Sequence, residues 1–179
     1  MKLVSVSGGP GVGKTKTIEE LEKRGYAVFH EAAREVATID KRFAGKSIDK
    51  INRQEFQDEI FRLQKREIEN RLKNARIFFS DRGLCDSIAY CKVYNLDIPK
   101  EILDFARKFR YAVIFILEPL NFYRKDELRT ESEEEQKAIQ NEIIKICEEF
   151  GCNLIKVPCM TVEERADFIL GSLRGIGNF

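Results

Sequence analysis

Gly8-Gly9-Pro10-Gly11-Val12-Gly13-Lys14-Thr15 follows the pattern Gly-x-x-x-x-Gly-Lys-Thr of a phosphate-binding loop. Its neighbours give the motif a structural setting. Before it, Leu3-Val4-Ser5-Val6-Ser7 is short, apolar and Val-rich, as a buried strand should be. After it, Thr15 to Arg24 reads as a helix closed by Gly25. In a strand, turn and helix of this kind, glycines let backbone N–H groups turn inward around phosphate oxygens. The helix N-terminus adds partial positive charge. Lys14 is placed to reach β- and γ-phosphates, and the Thr15 hydroxyl to ligate Mg²⁺. The expected nucleotide contacts are Gly8, Gly9, Pro10, Gly11, Val12, Gly13, Lys14, Thr15 and Lys16. The expected ligand is a nucleoside triphosphate, ATP or GTP, with Mg²⁺ as cofactor.

The remaining composition sets bounds. The chain has 179 residues, 43% of them hydrophobic, which suits one well-buried domain over 1–179. A net charge of +1 supplies no global field to draw nucleic acid or a membrane surface. No apolar run reaches transmembrane length, and the N-terminus reads as a strand rather than a signal peptide. The five cysteines, Cys85, Cys91, Cys147, Cys152 and Cys159, include no Cys-x-x-Cys pair. The expectation is a cytoplasmic protein with reduced thiols. Cys147, Cys152 and Cys159 are close enough in sequence to suggest a metal site, but the pattern favours buried free thiols. Oligomeric state stays open.

Five apolar runs read as strands: Leu3–Ser7, Tyr26–His30, Arg76–Ser80, Tyr111–Leu117 and Leu154–Val157. Helical segments separate them, so the chain is an alternating α/β protein with a mainly parallel sheet. The longest helix should begin near Asn52, which with Glu55 makes a capping-box-like start. Phe56, Ile60, Leu63, Ile68 and Leu72 follow at helical spacing. Ser132 with Glu135 opens another helix, with Ile139, Ile143, Ile146 and Phe150 on one face and Gly151 as its stop. Thr161 with Glu164 caps the last, with Ala166, Ile169 and Leu173 inward. Lys41–Lys50 and Asn121–Glu131 show no clear pattern. Loops at strand C-terminal ends surround the ligand in this architecture, which makes both stretches candidate moving parts.

Several residues carry possible chemistry. Glu31 would project from the end of the second strand, on the side where the phosphate loop opens. There it could accept a proton from a hydroxyl attacking the γ-phosphate, or simply favour a helix start. Arg34 falls one turn on, where its charge would keep Glu31 ionised. His30, the sole histidine, reads as a packed strand-end residue. Ile77-Phe78-Phe79-Ser80-Asp81-Arg82-Gly83 is an apolar strand ending in Asp. Asp81 is expected to hold Mg²⁺ with Thr15, and Arg82 to meet a phosphate or substrate. Asp86 and Tyr90, four apart on a helix over Leu84–Val93, could line a substrate pocket. A cap and a half-buried aromatic are the equal alternative. Arg124, Lys125 and Arg129 lie in a patternless segment and suit a cationic lid, with a solvated charge run as the alternative.

GGPGVGKT, EAAR (Glu31–Arg34), FFSDRGLCDSIAY (Phe78–Tyr90) and Arg129 with its following SEEE together resemble the P-loop family around the NadR kinase domain. Bacterial NadR phosphorylates nicotinamide riboside. The same family includes an animal protein that binds GTP and takes part in membrane-protein trafficking. The resemblance covers nearly the whole chain. It implies a three-layer, nucleoside-kinase-like α/β fold with five parallel strands in the order 2-3-1-4-5. It also implies base or substrate contact for Glu31, metal duty for Asp81 and lid duty for Arg129. NadR's adenylyltransferase and DNA-binding regions have no room here, so its substrate does not transfer.

The leading expectation is a small-molecule kinase acting on a nucleoside-like metabolite, with catalysis by Lys14, Glu31, Asp81, Arg124 and Arg129. Substrate contacts would come from Glu31, Arg34, Arg82, Asp86 and Tyr90. The alternatives are a nucleotide-dependent switch without an acceptor and an NTPase with a macromolecular partner. Neither Asn-Lys-x-Asp nor Asp-x-x-Gly occurs, against a signalling GTPase. An ABC or AAA+ machine would need a signature loop or a second domain.

Overall fold

The computed structural model describes residues 2–71, 77–109, 111–119 and 131–176. Within them the chain runs β1 (Lys2–Ser7), α1 (Lys14–Lys23), β2 (Ala27–Phe29), α2 (Ala32–Ile39), a 3₁₀ turn (Ile48–Lys50) and α3 (Arg53–Arg71). It continues through β3 (Ile77–Asp81), α4 (Leu84–Val93), α5 (Lys100–Lys108), β4 (Val113–Leu117), α6 (Glu133–Glu149), β5 (Leu154–Val157) and α7 (Val162–Gly175). The strands form one five-stranded sheet in the order β2-β3-β1-β4-β5, and every pairing is parallel.

Side chains alternate across the sheet, so its two faces carry separate cores. Val4, Val6, Phe79, Val113, Phe115 and Leu117 pack on one face against Ile18 and Leu21 of α1 and Ala166, Ile169 and Leu173 of α7. Leu3, Phe78, Ile114 and Ile116 pack on the other against α3, α4 and α6. The central strands are apolar on both sides because both faces are covered.

Helix starts follow the expected chemistry. Asn52 Oδ1 accepts from the Gln54 and Glu55 amides. Ser132 and Thr161 each form a capping box with the glutamate three residues on. The stretch 41–50 is less irregular than its sequence suggests: it contains the 3₁₀ turn, and Phe43 is buried edge-on against Phe56. Helix α5 has no counterpart in the sequence reading. It is short, and only Ile102 and Ala106 are buried.

The register positions the site. β1 pairs with β3 as Val6↔Asp81 and with β4 as Val6↔Phe115. The strand leading into the phosphate loop is therefore central, and Asp81 leaves the sheet beside it. Arg76, Leu72 and the segment 120–130, with Arg124, Lys125 and Arg129, lie outside the described residues.

Candidate functional site

The phosphate loop wraps the start of α1. Gly8 has φ +137°, and a Cβ there would lie 3.0 Å from the Leu117 carbonyl oxygen, so both conformation and space call for glycine. Gly13, at φ 92°, turns the chain into α1. Lys14 is only 4% exposed. Its Nζ donates to the carbonyls of Gly8 at 2.9 Å and Gly9 at 2.7 Å. Burial, and then the neighbouring Arg82 cation, bring its pKa down from 10.5 to about 7, against the pull of Asp86, Asp81 and Glu31.

Asp81 faces this loop from the end of β3. It is fully buried. Burial, and then the Glu31 carboxylate, push its pKa up to about 6, while Lys14, Arg82 and Thr15 oppose the rise. Thr15 Oγ1 and both Asp81 carboxylate oxygens are buried without hydrogen-bond partners among the described residues. The Thr15 hydroxyl is near enough to ease Asp81's ionisation, though short of hydrogen-bond geometry. Orphaned buried oxygens are costly unless something binds them. A hydroxyl and a carboxylate are hard oxygen donors of the kind Mg²⁺ takes, so these residues fit that ion.

The β2–β3 register explains the next contact. Phe29 pairs with Ser80, so Glu31 and Arg82, each two residues further on, leave the sheet level with one another. Arg82 Nε donates to Glu31 Oε1 at 2.7 Å. Arg34 Nε, one turn along α2, donates to Glu31 Oε2 at 3.0 Å. Arg82 sits at φ 71°, a left-handed conformation uncommon outside glycine. Its amide still bonds the Val6 carbonyl at 3.0 Å, and its guanidinium lies 5.1 Å from the Tyr90 ring centre.

A pocket opens beyond this pair, and its apolar floor includes Phe43, Phe56 and Ile60. Glu31, Arg82, Tyr90 and Glu131 are among its polar lining. Tyr90 Oη donates to Glu131 Oε1 at 3.3 Å, and Glu131 Oε2 is buried without a partner among the described residues.

A family model described as an AAA domain matches residues 3–165. The chain belongs to the AAA domain family. A search of curated proteins finds no match. Among solved structures, the NadR protein in complex with NR is similar at TM-score 0.72 and 20% identity, over 97% of this chain and 51% of that one. The M. mycoides deoxyadenosine kinase with bound dATP gives TM-score 0.67 at 17% identity, over 97% of this chain and 100% of the other. Thymidylate kinase from Ehrlichia chaffeensis gives 0.67 at 11%, over 96% and 98%. At these identities the likeness establishes a P-loop kinase fold. The AAA match spans residues 3–165, although the sequence shows no signature loop and no length for a second domain, the features expected of an ABC or AAA+ machine.

The AAA domain brings together most of the residues singled out from its sequence. Lys14, Thr15, Asp81, Glu31, Arg34 and Arg82 cluster at the strand ends, and Tyr90 lines the pocket. Lys16 is exposed on α1. Asp86 does not line the pocket. Its carboxylate accepts from Ser7 Oγ at 2.7 Å, the Gly83 amide at 3.0 Å and the Gly8 amide at 3.4 Å, which ties the loop's start to the β3–α4 turn. His30 is exposed rather than packed, its Nε2 3.2 Å from Glu22, because β2 ends at Phe29. The cysteine grouping is also different. Cys159 is exposed, and Cys85 joins Cys147 and Cys152 instead.

Three contacts join parts of the chain that no local pattern links. Arg165 of α7, 1% exposed, donates to the Val12 and Glu118 carbonyls. Gln140 of α6 accepts from the Gly9 amide and donates to Leu117 O at 3.2 Å. Glu131 reaches Tyr90 across the pocket. Arg165 alone left a trace, as an arginine between the apolar positions of an amphipathic helix.

Proposed function

We propose that this AAA domain is a Mg²⁺-dependent kinase that transfers the γ-phosphoryl group of ATP or GTP to a hydroxyl of a nucleoside-like metabolite. The observation that carries the reading is the pocket lined by Glu31 and Arg82: Arg82 directly follows Asp81 on β3, the strand between β2, which leads to Glu31, and β1, which leads to Lys14. A phosphate loop alone fits any NTPase. A part-apolar, part-polar pocket with a buried carboxylate in its lining fits an acceptor that must be oriented for attack.

Lys14 would hold the β- and γ-phosphates by charge. Thr15 and Asp81 would hold Mg²⁺, which neutralises charge on the phosphate oxygens. Glu31 takes the acceptor hydroxyl's proton as that oxygen forms its bond to the γ-phosphorus. The bond from the γ-phosphorus to the bridging oxygen breaks, and a nucleoside diphosphate leaves. Arg82 and Arg34 fix the Glu31 carboxylate in place through their two hydrogen bonds. Tyr90 and Glu131 offer hydrogen bonds to further acceptor hydroxyls, and the aromatic floor suits a flat ring. Arg124 and Arg129 would complete the charge around the γ-phosphate as lid cations. The chemistry needs no nucleic-acid partner and suits a cytoplasmic enzyme of small metabolites.

Purified protein with ATP or GTP and Mg²⁺, offered a nucleoside panel, tests this. Acceptor-dependent release of nucleoside diphosphate, with a phosphorylated product by mass spectrometry, is expected. Tight nucleotide binding without acceptor-dependent turnover would make the protein a switch. Acceptor-independent hydrolysis would make it an NTPase awaiting a macromolecular partner.

A further inference from the structure

The sheet face covered by α3, α4 and α6 holds a cluster that the nucleotide chemistry does not use. Cys85 lies in the first turn of α4, Cys147 near the end of α6, and Cys152 just past the turn at Gly151. Their sulfur atoms all lie within 4.8 Å of one another. Cys85 and Cys147 are buried, and Cys152 is half-buried at the rim. A backbone bond from the Cys152 amide to the Cys147 carbonyl, at 2.8 Å, holds the two on one turn. Helices α4 and α6 pack side by side, so the cluster sits at their seam.

Three thiols meeting from separate elements match the demands of a soft metal ion. Sulfurs at about 2.3 Å from a common ion in a plane stand ~4.0 Å apart. The cluster therefore needs sub-ångström closure rather than a rearrangement. Among the described residues no histidine, aspartate, glutamate or further cysteine extends the group. The nearby Asp86 carboxylate is already engaged by Ser7, Gly8 and Gly83, and the Tyr111 hydroxyl by the Leu84 amide. We propose that Cys85, Cys147 and Cys152 form a three-sulfur site for a thiophilic metal ion. Cu(I) suits three thiolates without a fourth donor, whereas Zn²⁺ would add a water at the Cys152 rim. Each ligating thiol gives its proton to solvent as its sulfur lone pair bonds the ion. The bound ion would pin α4 to α6. Both helices reach the phosphate loop, through Asp86 and through Gln140.

The test uses the full chain, reduced and then desalted under anaerobic conditions to remove the reductant, and two probes: Cu(I) supplied from a calibrated chelator, and Zn²⁺. One equivalent of either ion bound through sulfur, seen by X-ray absorption as sulfur neighbours at about 2.3 Å, is expected. Binding should raise Tm by roughly 5–10 °C at a hundredfold excess over the dissociation constant. Cys152→Ser, at the rim, should keep the fold by circular dichroism and weaken binding at least tenfold, in the range of lost ligand interactions. Cys85→Ser should do the same from the buried side. Failure of both ions to bind stoichiometrically overturns the proposal. So does binding that survives Cys85→Ser and Cys152→Ser together in a folded protein.

Discussion

Lys14 gives the sharpest test of the phosphate site, because its burial makes nucleotide affinity depend on pH. In the free protein its pKa is lowered from 10.5 to about 7, chiefly by desolvation. That difference corresponds to about 5 kcal/mol against the ammonium form, at about 1.4 kcal/mol per tenfold. A triphosphate brings the compensating charge, so the bound state holds Lys14 protonated well above pH 7. Between about pH 7 and 10.5 nucleotide binding must then take up a proton. Affinity should fall by about fiftyfold from pH 7 to pH 9, and uptake should approach one proton per nucleotide at the upper end. Isothermal titration calorimetry in buffers of different ionisation enthalpy measures both. Lys14→Arg supplies the control: it stays charged throughout, so its weaker affinity should be flat over this range. Linkage gives the free protein the opposite slope. From about 7 to 10.5 the unfolded chain holds a proton that native Lys14 has released, so unliganded stability should rise with pH from this group. Equal wild-type affinity at pH 7 and 9 without proton uptake would refute the reasoning.

Other predictions probe separate parts of the site. Asp81 keeps its proton in the native state between 3.8 and about 6, so its share of stability falls as pH rises through that window. Apparent Mg²⁺ affinity should be about tenfold weaker at pH 5 than at pH 7, and Asp81→Asn should abolish that dependence in a metal titration. Glu31→Gln should cut acceptor phosphorylation by about 10²–10⁴ with nucleotide affinity near normal, and near-native kcat would return Glu31 to a helix-start role. Arg129→Ala should lower kcat with little change in KM if that cation acts in the transition state, and the reverse pattern would assign it to ground-state binding. Arg165→Ala loses bonds to the Val12 and Glu118 carbonyls. It should lower Tm by roughly 5–15 °C, with Arg165→Met recovering part by refilling the space, as read by thermal denaturation.

What the sequence made legible follows from where each constraint lives. The phosphate loop and Asp81 each belong to one local unit of strand, turn and helix, so residue types and spacing suffice to place them. The strand runs were legible because both faces of the sheet are covered, and the capping glutamates marked where α6 and α7 begin. Short, lightly anchored α5 lacked such a signal. The contacts between distant units were another matter. Arg165 on Val12, Gln140 on Gly9 and Cys85 beside Cys147 depend on how helices lie across the sheet, which local periodicity does not encode. Glu31 and Arg82 form an instructive intermediate case. Taken one by one in the sequence they are separate strand-end residues, Glu31 for an acceptor or a helix start and Arg82 for a phosphate or substrate. Adjacent strands in parallel register, Phe29 level with Ser80, make them neighbours. The left-handed turn at Arg82 then puts the guanidinium on Glu31. The strand order 2-3-1-4-5 was in hand from the family resemblance, so register was the missing quantity. A parallel sheet leaves little freedom there: adjacent strands must end nearly level for their following turns to share one ligand-binding edge. Counting two residues past the level pair Phe29 and Ser80 reaches the Glu31 carboxylate on one strand and the Arg82 cation on the next.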